Sequence, residues 1–428
     1  VGRGRRLRRG NEAAAPPGQG AGGSPRPSSP DADLGDFGLD PGVVNLTTFL
    51  LSSHPRLVRE AIERQRRALD ANPAGYLHES EAGLEAAAQA AAAAYLRTEP
   101  DLVALTDSTT MGLGLVYGRL RLQRGDEVVT TEHDFYATHE ALRLRRTLEG
   151  VTVRRIRLYD VPETASAGSI VAAIARSLGP RTRCLAITWV HSSTGVRLPL
   201  REIADVVARA NRGRPAHHRI LLCVDGVHGF GALETSPVEL GVDVFISGCH
   251  KWLFGPRGTG VVWATGPAWD RLAPTIPTFD GRAYGAWLRG RAPTDTPPGP
   301  LMTPGGFHSF EHRWALTEAF AFHDRLGGRA VVADRTRRLA ARLKEALARI
   351  DRVTVRTPVE ETLSAGLVCA EVARFSAADV VERLRIDHGV VASVTPYLTQ
   401  YVRFGPSIAN STEDVDRAVE AIAAVAGR

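Results

Sequence analysis

The sequence predicts an α/β fold, with a large domain built on a mainly parallel sheet flanked by helices and a smaller α+β domain at the C-terminus. Three observations predict it. Seven short apolar runs alternate with amphipathic stretches of helical period, the pattern of strand–helix crossovers. A Pro/Gly-rich stretch, "RAPTDTPPGPLMTPGG" (291–306), ends that alternation, and a long helical run followed by mixed strands and helices lies beyond it. With 428 residues and 43% hydrophobic content, the chain can bury a sizeable core.

Residues 1–30, "VGRGRRLRRGNEAAAPPGQGAGGSPRPSSP", are rich in Arg, Gly, Pro and Ala and almost free of bulky apolar side chains. Burial cannot repay the entropy of ordering such a segment, so a disordered tail is expected over 1–40. The tail holds six arginines against Glu12, leaving +1 of the chain's +6 for the other 398 residues. A body so close to neutral argues against nucleic acid as a partner. No apolar segment follows "RRLRRG", so no export signal is read. Nor does any apolar run approach the ~20 residues of a membrane span. A cytoplasmic protein with no membrane partner is expected.

Residues 41–69 are expected to join the small domain. The large domain, 70–290, opens with an Ala-rich helix around 86–95 and carries the seven runs: "DLVALTD" (101–107), "DEVVTTE" (126–132), "VTVRRIRLY" (151–159), "TRCLAITWV" (182–190), "RILLCVDG" (219–226), "VDVFISG" (242–248) and "GTGVVWA" (258–264). In the last part, 291–428, a helical run spans about 311–350. Strand-like 353–358 and 366–372, helical 376–388, strand-like 390–394 and 401–405, and a final helix from Thr412 follow it. Four widely separated cysteines, Cys184, Cys223, Cys249 and Cys369, lack zinc spacing and read as reduced core thiols.

In open α/β sheets ligands bind beyond the carboxyl ends of strands, which gives weight to the polar residues that directly follow apolar runs. The first run is followed by Ser108, Thr109 and Thr110 before a helix, a hydroxyl-lined helix N-terminus suited to an anion. The others give His133, Phe135 and Tyr136; His191, Ser192 and Thr194; Asp225 and His228; and Ser247, His250 and Lys251. Lys251 stands between an apolar strand and Trp252-Leu253-Phe254, where loss of solvation lowers an amine's pKa toward nucleophilic neutrality. An amine, a carboxylate, a stacking ring and an anion cup together suit an aldehyde cofactor bearing a phosphate and a pyridine ring.

"VDGVHG" followed by "DVFISGCHKWLFGPRGTG" resembles the signature of class V aminotransferase-fold enzymes, pyridoxal-phosphate (PLP) enzymes of fold type I, and the resemblance extends over roughly 45–428. It implies that Lys251 forms the Schiff base, Asp225 pairs with the pyridinium nitrogen and His228 approaches the ring oxygen. Ser192 falls where desulfurases have an asparagine on that oxygen. Ser108, Thr109, Thr110, Ser247 and His250 would hold the phosphate. Either His133 or Phe135 would stack on the ring, Phe135 being preferred. "YVRFGPSIANSTEDVDRAVEAI" resembles the ending of isopenicillin N epimerase-like members, in which Arg403 would grip the substrate carboxylate. Gly405 and Ala409 depart from the serine and tyrosine common there.

No cysteine lies in "DHGVVASVTPYLTQ" (387–400), which excludes persulfide-forming desulfurase chemistry. The resemblance therefore implies an enzyme acting at Cα of an α-amino-acid-type substrate through a quinonoid intermediate, epimerase-like and belonging to natural-product metabolism such as antibiotic biosynthesis. A carbon–sulfur lyase and an aminotransferase are alternatives. "TPGGFHSFEHRW" (303–314) departs from the family's pattern and makes His308 and His312 candidate acid–base residues, with an oxygen-using enzyme (a monooxygenase-decarboxylase or oxidative deaminase) as the rival reading. No metal is expected, because no further ligands lie close by. A homodimer with shared sites is implied. A non-enzymatic regulator would need a DNA-reading module, and the sequence shows none.

Overall fold

The computed structural model describes residues 37–427. The expected tail lies outside the described residues up to 36. Its last part is anchored instead of solvated, because the Phe37 ring sits 5.0 Å from Phe254 and 5.7 Å from Phe322 in an aromatic cluster. The first strand, β1 (Val44–Asn45), precedes helices α1 (Arg56–Ala71) and α2 (Pro73–Leu96). Asn72 caps α2 from Gly75 N, and Pro73 at its first position lacks only an N–H that would have had no helical partner. Ala88, Ala92 and Ala93 are buried, so the Ala-rich stretch is a packed helix as expected.

All seven expected strands form one sheet: β2 (Val103–Thr106), β3 (Glu127–Thr131), β4 (Thr152–Ile156), β5 (Thr182–Thr188), β6 (Leu221–Asp225), β7 (Val244–Gly248) and β8 (Gly260–Ala264), in the order β2-β8-β7-β6-β5-β3-β4. Neighbours from β7 through to β4 are parallel, and β8 runs antiparallel to both β7 and β2. Every residue of β5, β6, β7 and β8 is buried, as expected of strands covered on both faces. Edge strand β4 instead keeps Arg154 and Arg155, charges that discourage further pairing.

The expected single helical run over 311–350 is three helices, Phe310–Trp314, Leu316–Arg325 and Arg329–Leu347. Gly327 and Gly328, at φ +96° and +88°, make the second break, a left-handed backbone that side chains resist. Strands β9 (Val353–Val355), β10 (Val368–Val372), β12 (Ser393–Val394) and β13 (Val402–Phe404) form an antiparallel sheet, while β11 (Val390–Val391) pairs in parallel with β1. The N-terminal segment is thus stitched to the C-terminal domain. Leu339, Leu343, Leu347, Val368, Phe404 and Ile422 form that domain's core. Among the described residues no helix is long and apolar enough to cross a membrane.

Candidate active site

Strands β3, β5, β6 and β7 end at one edge of the sheet, and the antiparallel placement of β8 brings the end of β2 there too. A cavity of about 270 Å³ opens at this edge, lined by Ser108, Thr109, Thr110, Phe135, Ser192, Asp225, His228, His250, Lys251 and Arg403. Ten of the residues singled out in the sequence therefore meet in one place. Phe49 and Leu50 from the N-terminal segment and Pro396 from the loop before β13 complete the lining.

Lys251 lies in the connection between β7 and β8, followed by Trp252, Leu253 and Phe254, none more than 1% exposed. Burial brings the amine down to about 8, Asp225 opposing the shift and Arg403 adding to it. Burial raises the Asp225 carboxyl to about 6, against the pull of the Val227 N–H that donates to Oδ1 at 3.1 Å and of Lys251. The turn after Asp225 reaches the lysine connection only because it is glycine-rich. A Cβ at Gly226 would lie 1.9 Å from the Phe245 ring, and one at Gly231, φ +88°, would lie 2.5 Å from Leu253 N. Burial with Lys251 and Arg403 keeps His228 neutral, its pKa far below the ordinary histidine value. Its Nδ1 accepts from Trp252 Nε1 at 3.5 Å, so Nε2 carries the proton. His250 falls to about 4, first through burial and then through Lys251.

At the N-terminus of helix α3 (Thr109–Arg119), Ser108 caps Met111 N at 3.1 Å. Thr109 Oγ1 accepts from Gly248 N at 2.7 Å, which ties this helix start to the end of β7 and leaves the hydroxyl proton to donate. Helix α3 thus offers an anion its free N–H groups together with hydroxyls.

Arg403 is 3% exposed. Its Nη1 donates to Ser192 O at 3.1 Å, its Nε donates to Ser393 Oγ at 3.2 Å, and its guanidinium lies 4.3 Å above the Phe49 ring. Among the described residues no carboxylate pairs with it. A buried cation without a counter-charge is costly, so this one is built to meet an anion from outside.

Of the residues given a role by the resemblance or as acid–base candidates, four lie outside this cavity, as do Tyr136, His191 and Thr194. Ser247 turns its hydroxyl to Gly248 O at 2.9 Å in the middle of buried strand residues. His133 stacks on Tyr159 at 3.9 Å, accepts from Leu158 N at 3.3 Å and, through burial, falls to about 3, while Phe135 faces the cavity. His308 lines a separate cavity of about 670 Å³, 3.4 Å from Glu85 Oε1 and beside Arg313. His312 has Nδ1 3.0 Å from Arg257 O. The helix start at Phe310 separates these two histidines, so "FHSFEH" does not form one cluster.

Sequence reasoning missed Phe49 and Leu50, which come from far up the chain and carry no local signal. It also missed Asp134, which accepts from Thr130 Oγ1 and Thr131 N and, through Oδ1, from Thr188 N, clamping β3 to β5 at the cavity edge. An acid three residues past the end of β3 was its visible signal. The four cysteines are buried and free, and burial pushes Cys369 up to about 12, which keeps it an inert thiol.

The profile of the family described as Aminotransferase class-V matches residues 52–418. The chain belongs to this family. It is 28% identical over 401 residues to an isopenicillin N epimerase of Streptomyces clavuligerus, covering 91% of this chain and 96% of that one. A second isopenicillin N epimerase, from Amycolatopsis lactamdurans, is 29% identical over 224 residues, 52% of this chain and 54% of that one. A lysine-to-alanine variant of C-DES, with glycine covalently linked to its PLP cofactor, superposes with a TM-score of 0.81 at 22% identity, covering 91% of this chain and 99% of that one. The fold is that of fold type I, and this class V aminotransferase family member is a PLP-dependent enzyme.

The residues present fit the cofactor. The donor set comprises a near-neutral buried amine, a buried carboxylate in want of a cation and a hydroxyl-lined helix N-terminus. Lys251 would hold the aldehyde carbon, Asp225 the ring nitrogen, and Ser108, Thr109 and Thr110 with the N–H groups of α3 the phosphate. Bound there, PLP supplies a protonated ring that accepts electrons when a bond to Cα breaks.

Proposed function

We propose that this PLP enzyme acts at Cα of an α-amino-acid-type substrate in the manner of the isopenicillin N epimerases, in natural-product metabolism. The observation that carries the reading is the buried, carboxylate-free Arg403 in the same cavity as Lys251. A planar guanidinium binds a carboxylate bidentately and would fix the Cα substituents relative to the amine. With a pKa of about 8, Lys251 can take a proton from Cα and return it near neutral pH. The epimerase relative, aligned over nearly its full length, supports this reading over lyase or aminotransferase activity.

The test incubates the PLP-loaded enzyme with a panel of α-amino acids in D₂O. Deuterium at Cα with inverted configuration supports the proposal. A β-elimination product or a 2-oxo acid without inversion assigns a lyase or an aminotransferase instead. Within one chain His308 and His312 lie outside this cavity, so the oxygen-using alternative would need them to reach it from a partner subunit. Oxygen uptake in the same assay would support that alternative. A homodimer is also proposed, supported by the exposed apolar side chains Phe279, Trp287 and Phe307 at 60%, 67% and 83%.

A further inference from the structure

The loop between β12 and β13 sends the Tyr397 side chain toward the cavity wall. Thr395 pins the loop, its N–H donating to Tyr401 O at 3.0 Å and its hydroxyl accepting from Tyr401 N at 2.9 Å, while Leu398 at the tip is fully exposed. Between them Tyr397 turns back, edge-on to the cavity-lining Phe135 at 6.2 Å between centroids. Its hydroxyl lies 2.6 Å from Ser192 Oγ, the one hydrogen bond the phenol makes among the described residues. Ser192 lines the cavity shared with Lys251 and Asp225, and its carbonyl accepts from Arg403.

The direction of the proton between the two hydroxyls follows from their surroundings. Burial holds the phenol protonated, well above the ordinary tyrosine range. A half-buried O–H left without an acceptor is costly, and among the described residues the acceptor in reach is Ser192 Oγ. Tyr397 therefore donates, and the serine, which has one proton, is free to give it elsewhere. We propose that Tyr397 is a positioning residue that fixes the Ser192 hydroxyl as a directed hydrogen-bond donor into the cavity, onto an oxygen of the bound cofactor. Ser192 is then gripped at both ends, by the phenol at its side chain and by Arg403 at its carbonyl, so that one residue links the cofactor to the carboxylate-binding cation. The inference rests on PLP occupying this cavity. It does not depend on which Cα reaction follows.

The experiment compares the PLP-loaded wild type with Tyr397→Phe, Ser192→Ala and the double variant. Two quantities are read: the pH midpoint of the cofactor's visible absorbance, and the affinity of the cofactor-free protein for PLP from tryptophan fluorescence. A proton donated to a cofactor oxygen eases loss of the proton that oxygen shares with its neighbour, so losing the donor should raise the midpoint. Lys251, Asp225, His228, His250, Arg403 and Asp134, titrating and charged groups around the site, are the same in all four proteins. Each single variant should raise the midpoint by about one pH unit and weaken PLP binding about 5- to 10-fold. The double variant should match Ser192→Ala, because the phenol acts only through the serine. If Ser192→Ala moves the midpoint and Tyr397→Phe does not, or if the two shifts add, the role of Tyr397 is overturned. If neither variant moves it, Ser192 does not donate to the cofactor and the proposal also fails. Unchanged thermal midpoints in Tyr397→Phe, which keeps the ring, separate either result from misfolding.

Discussion

Lys251 and Asp225 each offset part of the cost of the other's buried charge, and burial still shifts both toward neutrality. Borohydride treatment of the PLP-loaded enzyme should fix the cofactor on the peptide containing Lys251, detectable by mass spectrometry, and Lys251→Ala should show no such adduct. The Asp225 carboxyl, raised by burial from 3.8 to about 6, favours the cofactor-free fold only while protonated. Its contribution is complete below the unfolded value and is lost as pH rises through about 6. Cofactor-free Asp225→Asn should therefore melt higher than wild type above that pH. In the same variant Lys251 should titrate below its present value of about 8, because the carboxylate is what raises it; pH-dependent acylation of the amine would measure this. Turnover of the loaded variant should fall by roughly 100-fold or more, since the carboxylate that would keep the ring nitrogen protonated is gone.

At the level of elements, the β6 turn approaches the lysine connection too closely for a side chain at Gly231. Gly231→Ala adds a methyl where φ is +88° and the Leu253 backbone is 2.5 Å away. A loss of about 2–4 kcal/mol is expected, read as a lowered melting temperature together with poor cofactor loading. The central strands were legible because they are apolar runs, edge strand β4 with Arg154 and Arg155 being less so, and the residues at their carboxyl ends were legible because the chemistry of an α/β sheet concentrates there. The Gly327-Gly328 break was visible as a glycine pair but outweighed by helical periodicity on both sides. Ser247 and Gly248 differ by one position along β7, and the pleat turns adjacent side chains to opposite faces; periodicity alone could not say which face Ser247 joined. Phe49 and Tyr397 reach the cavity through tertiary contacts that no local pattern encodes.

For the whole molecule, the exposed apolar side chains at Trp287 and Phe307 would be covered in the proposed homodimer. Light scattering should give twice the chain mass at micromolar concentration, and Trp287→Asp should weaken association about tenfold or more, since it would place an unpaired charge in that contact. The split of the site between the two parts of the chain has a further consequence, in the timing of synthesis. Lys251, Asp225, His228 and the α3 cradle all precede the end of β8 at Ala264, whereas Arg403 and Tyr397 are made well after it. Domains fold as units, N-terminal ones first, as the ribosome releases them. On the roles proposed above, the nascent chain would be able to bind its cofactor before Arg403 is in place to hold a substrate carboxylate.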